Sequence, residues 1–219
     1  DKEEMLAKGL VEGEDYKLRT PNSYHTRTKS GGWGMIAYSN EIHSVMIGHK
    51  RGRFTGGIDV SGWCKDNKEK WESLQEITEH NETAFAKANN DIYRSQKSFA
   101  ENNIRPEHRI GEGIFTTLSA NRYSSYQSTK MAAHVDSGDT DAGMTSMCVF
   151  REGDYDGAYL CFPRYGIAID APDNSVVIAD SQEVHGVTPI SGKGQRFSCV
   201  AYCDRRLATV GVYGKQEKL

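Results

Sequence analysis

The chain has 219 residues, 37% of them apolar and 26% charged, with a formal charge of -3; this suits one domain with a substantial core and is short for two. Such a composition argues against a disordered chain, a coiled coil or a repeat array. No apolar run approaches the roughly 18 residues of a membrane span, and the Asp-Lys-Glu-Glu start lacks the basic and apolar regions of a secretion signal. A soluble, intracellular protein without a membrane partner is expected, in nucleus or cytoplasm according to its host, and a monomer is compatible with it. Five cysteines without a close-spaced metal pattern fit free thiols in a reducing compartment.

The first stretch, up to about Trp63, is rich in Gly and Ser. Short runs such as Met35-Ile36-Ala37-Tyr38 and Ser44-Val45-Met46-Ile47 lie between turn signals and predict short strands and exposed loops. Between Tyr16 and Gly57 stand Lys17, Arg19, Arg27, Lys29, Lys50, Arg51 and Arg53 against the single acid Glu41. A segment of that charge could meet phosphates, and a solvated basic face explains it equally well. Trp33, Trp63 and the Lys50-Arg51-Gly52-Arg53-Phe54 loop mix aromatic and basic character, as a nucleic-acid surface does.

Residues 66–103 contain no Gly or Pro, and Trp71, Leu74, Phe85, Ala88, Ile92 and Phe99 fall near one helical stripe. One long helix, or two with a break near His80–Glu82, should pack there on a sheet. Thr78, Asn81 and Ser95 interrupt the stripe and disfavour a coiled coil. The His80-Asn81-Glu82 triplet reads as part of a solvated helical face.

From Gly111 onward the pattern becomes short β-rich runs separated by Gly, Pro, Asp and Asn, namely 114–118, 144–150, 158–162, 166–169, 175–178 and 197–202. Such spacing predicts a mainly β, jelly-roll-like double sheet with the helix covering one face. The expected organisation is a single domain over 1–219: residues 1–110 give N-terminal strands, basic loops and a helical buttress, and 111–219 give the β core.

Within that core lie His134-Val135-Asp136 and, far downstream, His185 and Arg196. Two imidazoles and a carboxylate on one side of a metal form the facial triad of non-haem Fe(II) oxygenases. On a strand, residues i and i+2 face one way, so His134 and Asp136 could grip one ion while His185 arrives from another strand. Chance alone yields a His-x-Asp in many chains, so context must carry the assignment. Val184-His185-Gly186 follows the apolar strand Val176-Val177-Ile178-Ala179, and Arg196-Phe197-Ser198 places a guanidinium and a hydroxyl on one face. That pair suits the distal carboxylate of 2-oxoglutarate. Pairing of Arg196 with a surface acid is the alternative. Cys199 and Cys203 read as small core residues, and Asp141, Asp154 and Asp156 as loop and turn residues. Asp180 could orient a ligand imidazole or simply end a strand.

Several segments together resemble the oxygenase domain of the TET/JBP family. They are Ala120-Asn121-Arg122-Tyr123-Ser124-Ser125-Tyr126, Met131 to Asp139, Tyr165-Gly166-Ile167-Ala168-Ile169, Ala179 to Ile190, and Arg196-Phe197-Ser198. The likeness runs from about Phe115 to Asp204; residues 1–110 match nothing at this level. The resemblance implies a double-stranded β-helix that uses Fe(II), 2-oxoglutarate and O2 to hydroxylate the 5-methyl group of thymine or 5-methylcytosine in nucleic acid, with DNA as the expected partner and the base flipped out of its stack. It implies iron at His134, Asp136 and His185, which are then the catalytic residues. The 2-oxoglutarate carboxylate falls to Arg196 with Ser198, with Arg122 or Tyr123 also in reach. It further implies that Asp139, Tyr202 and Asp204 contact the base, and it strengthens the separate expectation, drawn from the basic loop, that Arg51 and Arg53 lie on the nucleic acid. Asp204 stands where cytosine-acting members place His and favours N3–H of thymine, whereas Asp139 suits the N4 amine of cytosine. A turn role for Asp204 remains open. So do hydroxylation of a peptide or small metabolite by the same iron chemistry, and a non-catalytic binding module.

Overall fold

A computed structural model describes residues 25–27, 33–35, 43–52, 56–124, 131–136 and 138–213. Twelve strands occur among them: β1 (His25–Arg27), β2 (Trp33–Met35), β3 (His43–Arg51), β4 (Ile58–Val60), β5 (Thr117–Ser124), β6 (Met131–His134), β7 (Thr145–Gly157), β8 (Leu160–Phe162), β9 (Ile167–Ile169), β10 (Ser175–Ala179), β11 (His185–Val187) and β12 (Ile190–Tyr202). Four helices accompany them: α1 (Gly62–Asp66), α2 (Lys68–Ala88), α3 (Asn90–Asn103) and α4 (Arg205–Tyr213). An antiparallel six-stranded sheet, ordered β10-β7-β12-β5-β3-β4, faces a four-stranded sheet ordered β6-β11-β8-β9. This is the expected jelly-roll core with its helical flank.

The β7 strand shows why the layers stack as they do. Its first five residues are all buried, because both of its faces are covered. Met147 and Val149 point into the sandwich with Leu160 and Val187 of the opposing sheet, while Ser146 and Cys148 meet α2. A second core, including Ile47, Phe85, Ala100, Phe115 and Leu118, fills the space between helices and large sheet.

The helical stretch breaks at Asn89, not near His80–Glu82. The Asn89 side chain caps α3 by accepting from the Ile92 N–H, a stronger local signal than any in the earlier segment. Nor is the His80-Asn81-Glu82 triplet a solvated face. His80 is exposed, but Asn81 is fully buried, donating to the Ser146 carbonyl at 3.5 Å and accepting from the Cys148 thiol at 2.6 Å. Glu82 accepts from the Ile114 N–H and the Tyr93 hydroxyl. The polar residues that spoil the apolar stripe are the ones that reach the β strand, where buried polar atoms need partners.

Other expectations shift by an element. Asp154 and Asp156 lie on β7, paired with Lys193 and Ser191 of β12, so they are strand residues and not loop residues. Trp63 packs half-buried against the helix-side core and is no exposed nucleic-acid contact; the Trp33 side chain lies outside the described part. All five cysteines are free, as expected. No helix among the described residues is long and apolar enough to cross a membrane.

Candidate metal and co-substrate site

His134 ends β6, and β6 pairs with β11 so that His134 and His185 stand directly opposite. Their ring centroids are 4.4 Å apart. Asp136 is not on the strand with His134, as the i, i+2 argument assumed, but in the loop that follows, where its N–H donates to the Ser181 carbonyl at 3.0 Å. The result is the same convergence by another route. Asp136 Oδ1 lies 3.5 Å from His134 Nε2 and Oδ2 lies 3.7 Å from His185 Nε2; one ligand atom from each residue falls within 4.8 Å of the others. Separations of that size bring the three ligand atoms around a common point, from which small side-chain adjustments let them share one ion at bond lengths of about 2 Å.

The geometry fixes the chemistry of one ring. His185 Nδ1 lies 2.8 Å from the Glu183 carbonyl, which can only accept, so Nδ1 carries the hydrogen and Nε2 keeps its lone pair for a metal. The orienting group is therefore a backbone carbonyl and not Asp180, whose Oδ1 instead accepts from the Gln182 N–H and ends the strand. Gln182 and Ser181 matter more than the sequence suggested. The Gln182 amide donates to the Asp136 and Asp139 carbonyls at 3.3 and 3.1 Å, clamping the ligand loop. Only their place beside His185 could have marked them in advance.

Across the sandwich, Arg196 and Ser198 lie buried on one face of β12. Arg196 is 2% exposed. Its Nη2 contacts the Met147 sulfur at 3.5 Å, while Nε and Nη1 are buried without a partner. Burial pulls the guanidinium below its usual range, with the neighbouring Arg151 adding to the effect. Arg151 is neutralised by Asp170, to which its Nη1 donates. The surface-acid alternative for Arg196 thus fails, and an anion is what the pocket lacks. Tyr123 lies opposite Arg196 in register and puts its ring 5.4 Å from the guanidinium carbon. Arg122, one residue away, turns to the other face, donating to Gln195 at 2.8 Å; strand alternation takes it off the surface that carries Arg196.

Asp139 is buried and bridges to Asp204. One of its oxygens accepts from both the Thr145 and Ser181 hydroxyls. Burial, reinforced by Asp136 and Asp204 against those hydrogen bonds, pushes its carboxyl up to about 6. Burial likewise raises the Tyr202 hydroxyl, which has Asp139 and Asp204 as neighbours. Asp204 spends both oxygens on Arg206, at 2.7 Å to Nε and 2.6 Å to Nη2, and also accepts from the Arg206 N–H. It opens α4, so contact with a base would require displacing Arg206. Arg51 is exposed at the end of β3, and Arg53 lies outside the described residues. The segments that carry or adjoin the cluster also expose apolar side chains, Val135, Val184, Ile167 and Tyr165, by 42–55%, beside the exposed Arg164–Glu183 pair.

A model of the oxygenase domain of the 2OGFeDO superfamily, Tet_JBP, matches residues 63–205. The chain belongs to this family. The Tet_JBP match starts well before Phe115, so α1 to α3 are part of the family's domain, and the motif resemblance underestimated its extent. The chain is 32% identical over 102 residues to the bifunctional helicase and thymine dioxygenase JBP2 of Trypanosoma brucei brucei, covering 45% of this chain and 9% of that protein. It is 29% identical over 137 residues to thymine dioxygenase JBP1 of Leishmania tarentolae, covering 58% and 16%. The chain therefore spans a small part of these relatives. The solved structure of NgTET1 in complex with 5mC DNA is similar in fold, with a TM-score of 0.59 at 13% identity, over 76% of this chain and 62% of that one.

Proposed function

We propose that this chain is an Fe(II)/2-oxoglutarate-dependent dioxygenase that hydroxylates the 5-methyl group of thymine in DNA, and that residues 1–219 work as one oxygenase domain. The observation that carries the reading is a His-Asp-His cluster with its ligand atoms converging, facing a buried guanidinium that lacks an anion, in a chain of this family. Pairing of β3 with β5 ties the N-terminal half into the sheet that holds Arg196, which supports the single-domain reading.

Ferrous iron with 2-oxoglutarate and O2 supplies the oxidising power, exchanging a methyl C–H for C–OH with release of succinate and carbon dioxide. The protein's own share is placement. His134 and His185 offer Nε2, Asp136 offers a carboxylate oxygen, and the Glu183 carbonyl and the Gln182 amide hold two of these elements in register. Arg196 and Ser198 take the distal carboxylate in a dry pocket, where each charge-assisted hydrogen bond counts for more than in water. Tyr202 and Asp139 stand together beside the ligand loop, as a face and an edge for a flipped base. The exposed Val135, Val184, Ile167 and Tyr165 give the mouth an apolar rim against which bases can lie.

Thymine is favoured over 5-methylcytosine because the two relatives alike in sequence are thymine dioxygenases, whereas the likeness to NgTET1 is one of fold. The deciding experiment digests DNA duplexes after incubation with the iron-loaded protein, 2-oxoglutarate and air. Mass spectrometry should find one added oxygen on thymine. A gain confined to 5-methylcytosine would reverse the base assignment. Succinate release with peptides or free nucleosides, and none with DNA, would end the nucleic-acid reading.

A further inference from the structure

The Arg196 pocket holds a second buried polar group without a partner. Tyr155 is 9% exposed, and its hydroxyl, like Arg196 Nε and Nη1, makes no hydrogen bond. Tyr155 sits opposite Gly192 in the β7–β12 ladder, and Arg196 opposite Arg151, so Tyr155 and Arg196 share the sandwich-facing side. Gly194 lies between Gly192 and Arg196 on that side. A Cβ at Gly194 would come 2.7 Å from Tyr155 Cδ1, which shows the ring leaning along the sheet over Gly194 and toward Arg196. The Arg151 guanidinium rests 4.5 Å from the ring centre with its charge answered by Asp170.

A guanidinium can only donate, and a phenol has one hydrogen to give. Their unmet donors lie on the same side of the sheet, both buried without a hydrogen-bond acceptor, and the nearby Asp170 is already taken by Arg151, an arrangement that costs stability in the free protein. A carboxylate has enough lone pairs to answer both. We propose that Tyr155 completes the donor set for the distal carboxylate of the 2-oxo acid co-substrate, its hydroxyl donating to the same group that Arg196 holds. This rests on the co-substrate reading above and adds a residue to it. Tyr123 then serves as the aromatic face beneath the guanidinium, and Tyr155 as the donor.

The test uses the full chain with Mn(II) in place of iron, under argon, with affinities measured by calorimetry. Tyr155→Phe should weaken 2-oxoglutarate binding about tenfold or more, the loss expected for one hydrogen bond to a charged group. Binding of pyruvate, which has no distal carboxylate, should stay the same. The melting temperature of ligand-free Tyr155→Phe should be equal to or above that of the parent, because a buried hydroxyl without a partner is removed. Unchanged 2-oxoglutarate affinity would overturn the assignment, as would equal weakening toward both ligands or a lowered ligand-free melting temperature. If the parent protein itself binds no 2-oxoglutarate, the co-substrate reading falls and takes this inference with it.

Discussion

Asp136 leaves 43% of its side chain in contact with solvent, whereas Arg196, on the sheet opposite, is 2% exposed. The metal end is built from a short strand, a loop and the edge of a small sheet, held by backbone and amide hydrogen bonds. The anchor end is built on the two longest strands, inside the apolar core. An open end admits an ion and a large substrate at little cost to folding; a sealed end gives a charge its selectivity, because an ion out of water must find its counter-ion. One site thus draws on two kinds of stability.

This contrast can be broken by experiment, beginning with the metal end. Asp136→Ala should weaken Mn(II) binding about a hundredfold or more, yet move the metal-free melting temperature little, since the residue is half exposed; a large loss of metal-free stability would erase the distinction. At the sealed end, Arg196→Met should abolish measurable 2-oxoglutarate binding while leaving the free protein as stable or more so, because an uncompensated buried charge is replaced by an apolar chain. Destabilisation in a thermal melt would show that the guanidinium is structurally satisfied.

Asp139 lies between these ends and gives a smaller, pH-dependent effect. Its carboxyl titrates near 6 in the fold against about 4 in an unfolded chain, so the folded state binds the extra proton between those values. Its contribution to stability is fully present below pH 4 and is lost as pH rises through 6. Asp139→Asn, whose amide oxygen can still accept from Thr145 and Ser181, should therefore raise metal-free stability at pH 7.5 by no more than about 3 kcal/mol, and the gain should vanish near pH 4. A gain that does not depend on pH would refute burial as the cause. Away from the site, Asn81→Ala should cost about 1–3 kcal/mol by leaving the Cys148 thiol and Ser146 carbonyl without their helix partner, read in urea unfolding. The smallest change is expected of Arg164→Ala: the exposed pair with Glu183 at 3.1 Å should be worth under about 1 kcal/mol.

The core strands were legible because their apolar runs are bounded by turn residues, and all six expected segments overlap a strand, although β7 and β12 run well beyond the expected stretches. The run 114–118 was the poorest, since most of it precedes β5. The candidate triad was legible from context, because a His-x-Asp in the β-rich half is joined by a second His shortly after an apolar strand. The helix break was not, because Asn89-Asn90 carries no Gly or Pro and only its side-chain cap reveals it. The Asp204 contact with Arg206 was likewise hidden, since a carboxylate two residues before an arginine is common on any surface.

Residue chemistry and spacing along the chain picked out the candidate metal ligands, the β-rich core and the arginine proposed as anchor, since these depend on side-chain type and on local periodicity. Only the tertiary structure decided that Arg196 has no acid to pair with, that Tyr155 shares its isolation, and that Asp136 reaches the imidazoles from a loop. Burial and the absence of a partner are properties of what other strands bring alongside, and a linear pattern holds no record of them.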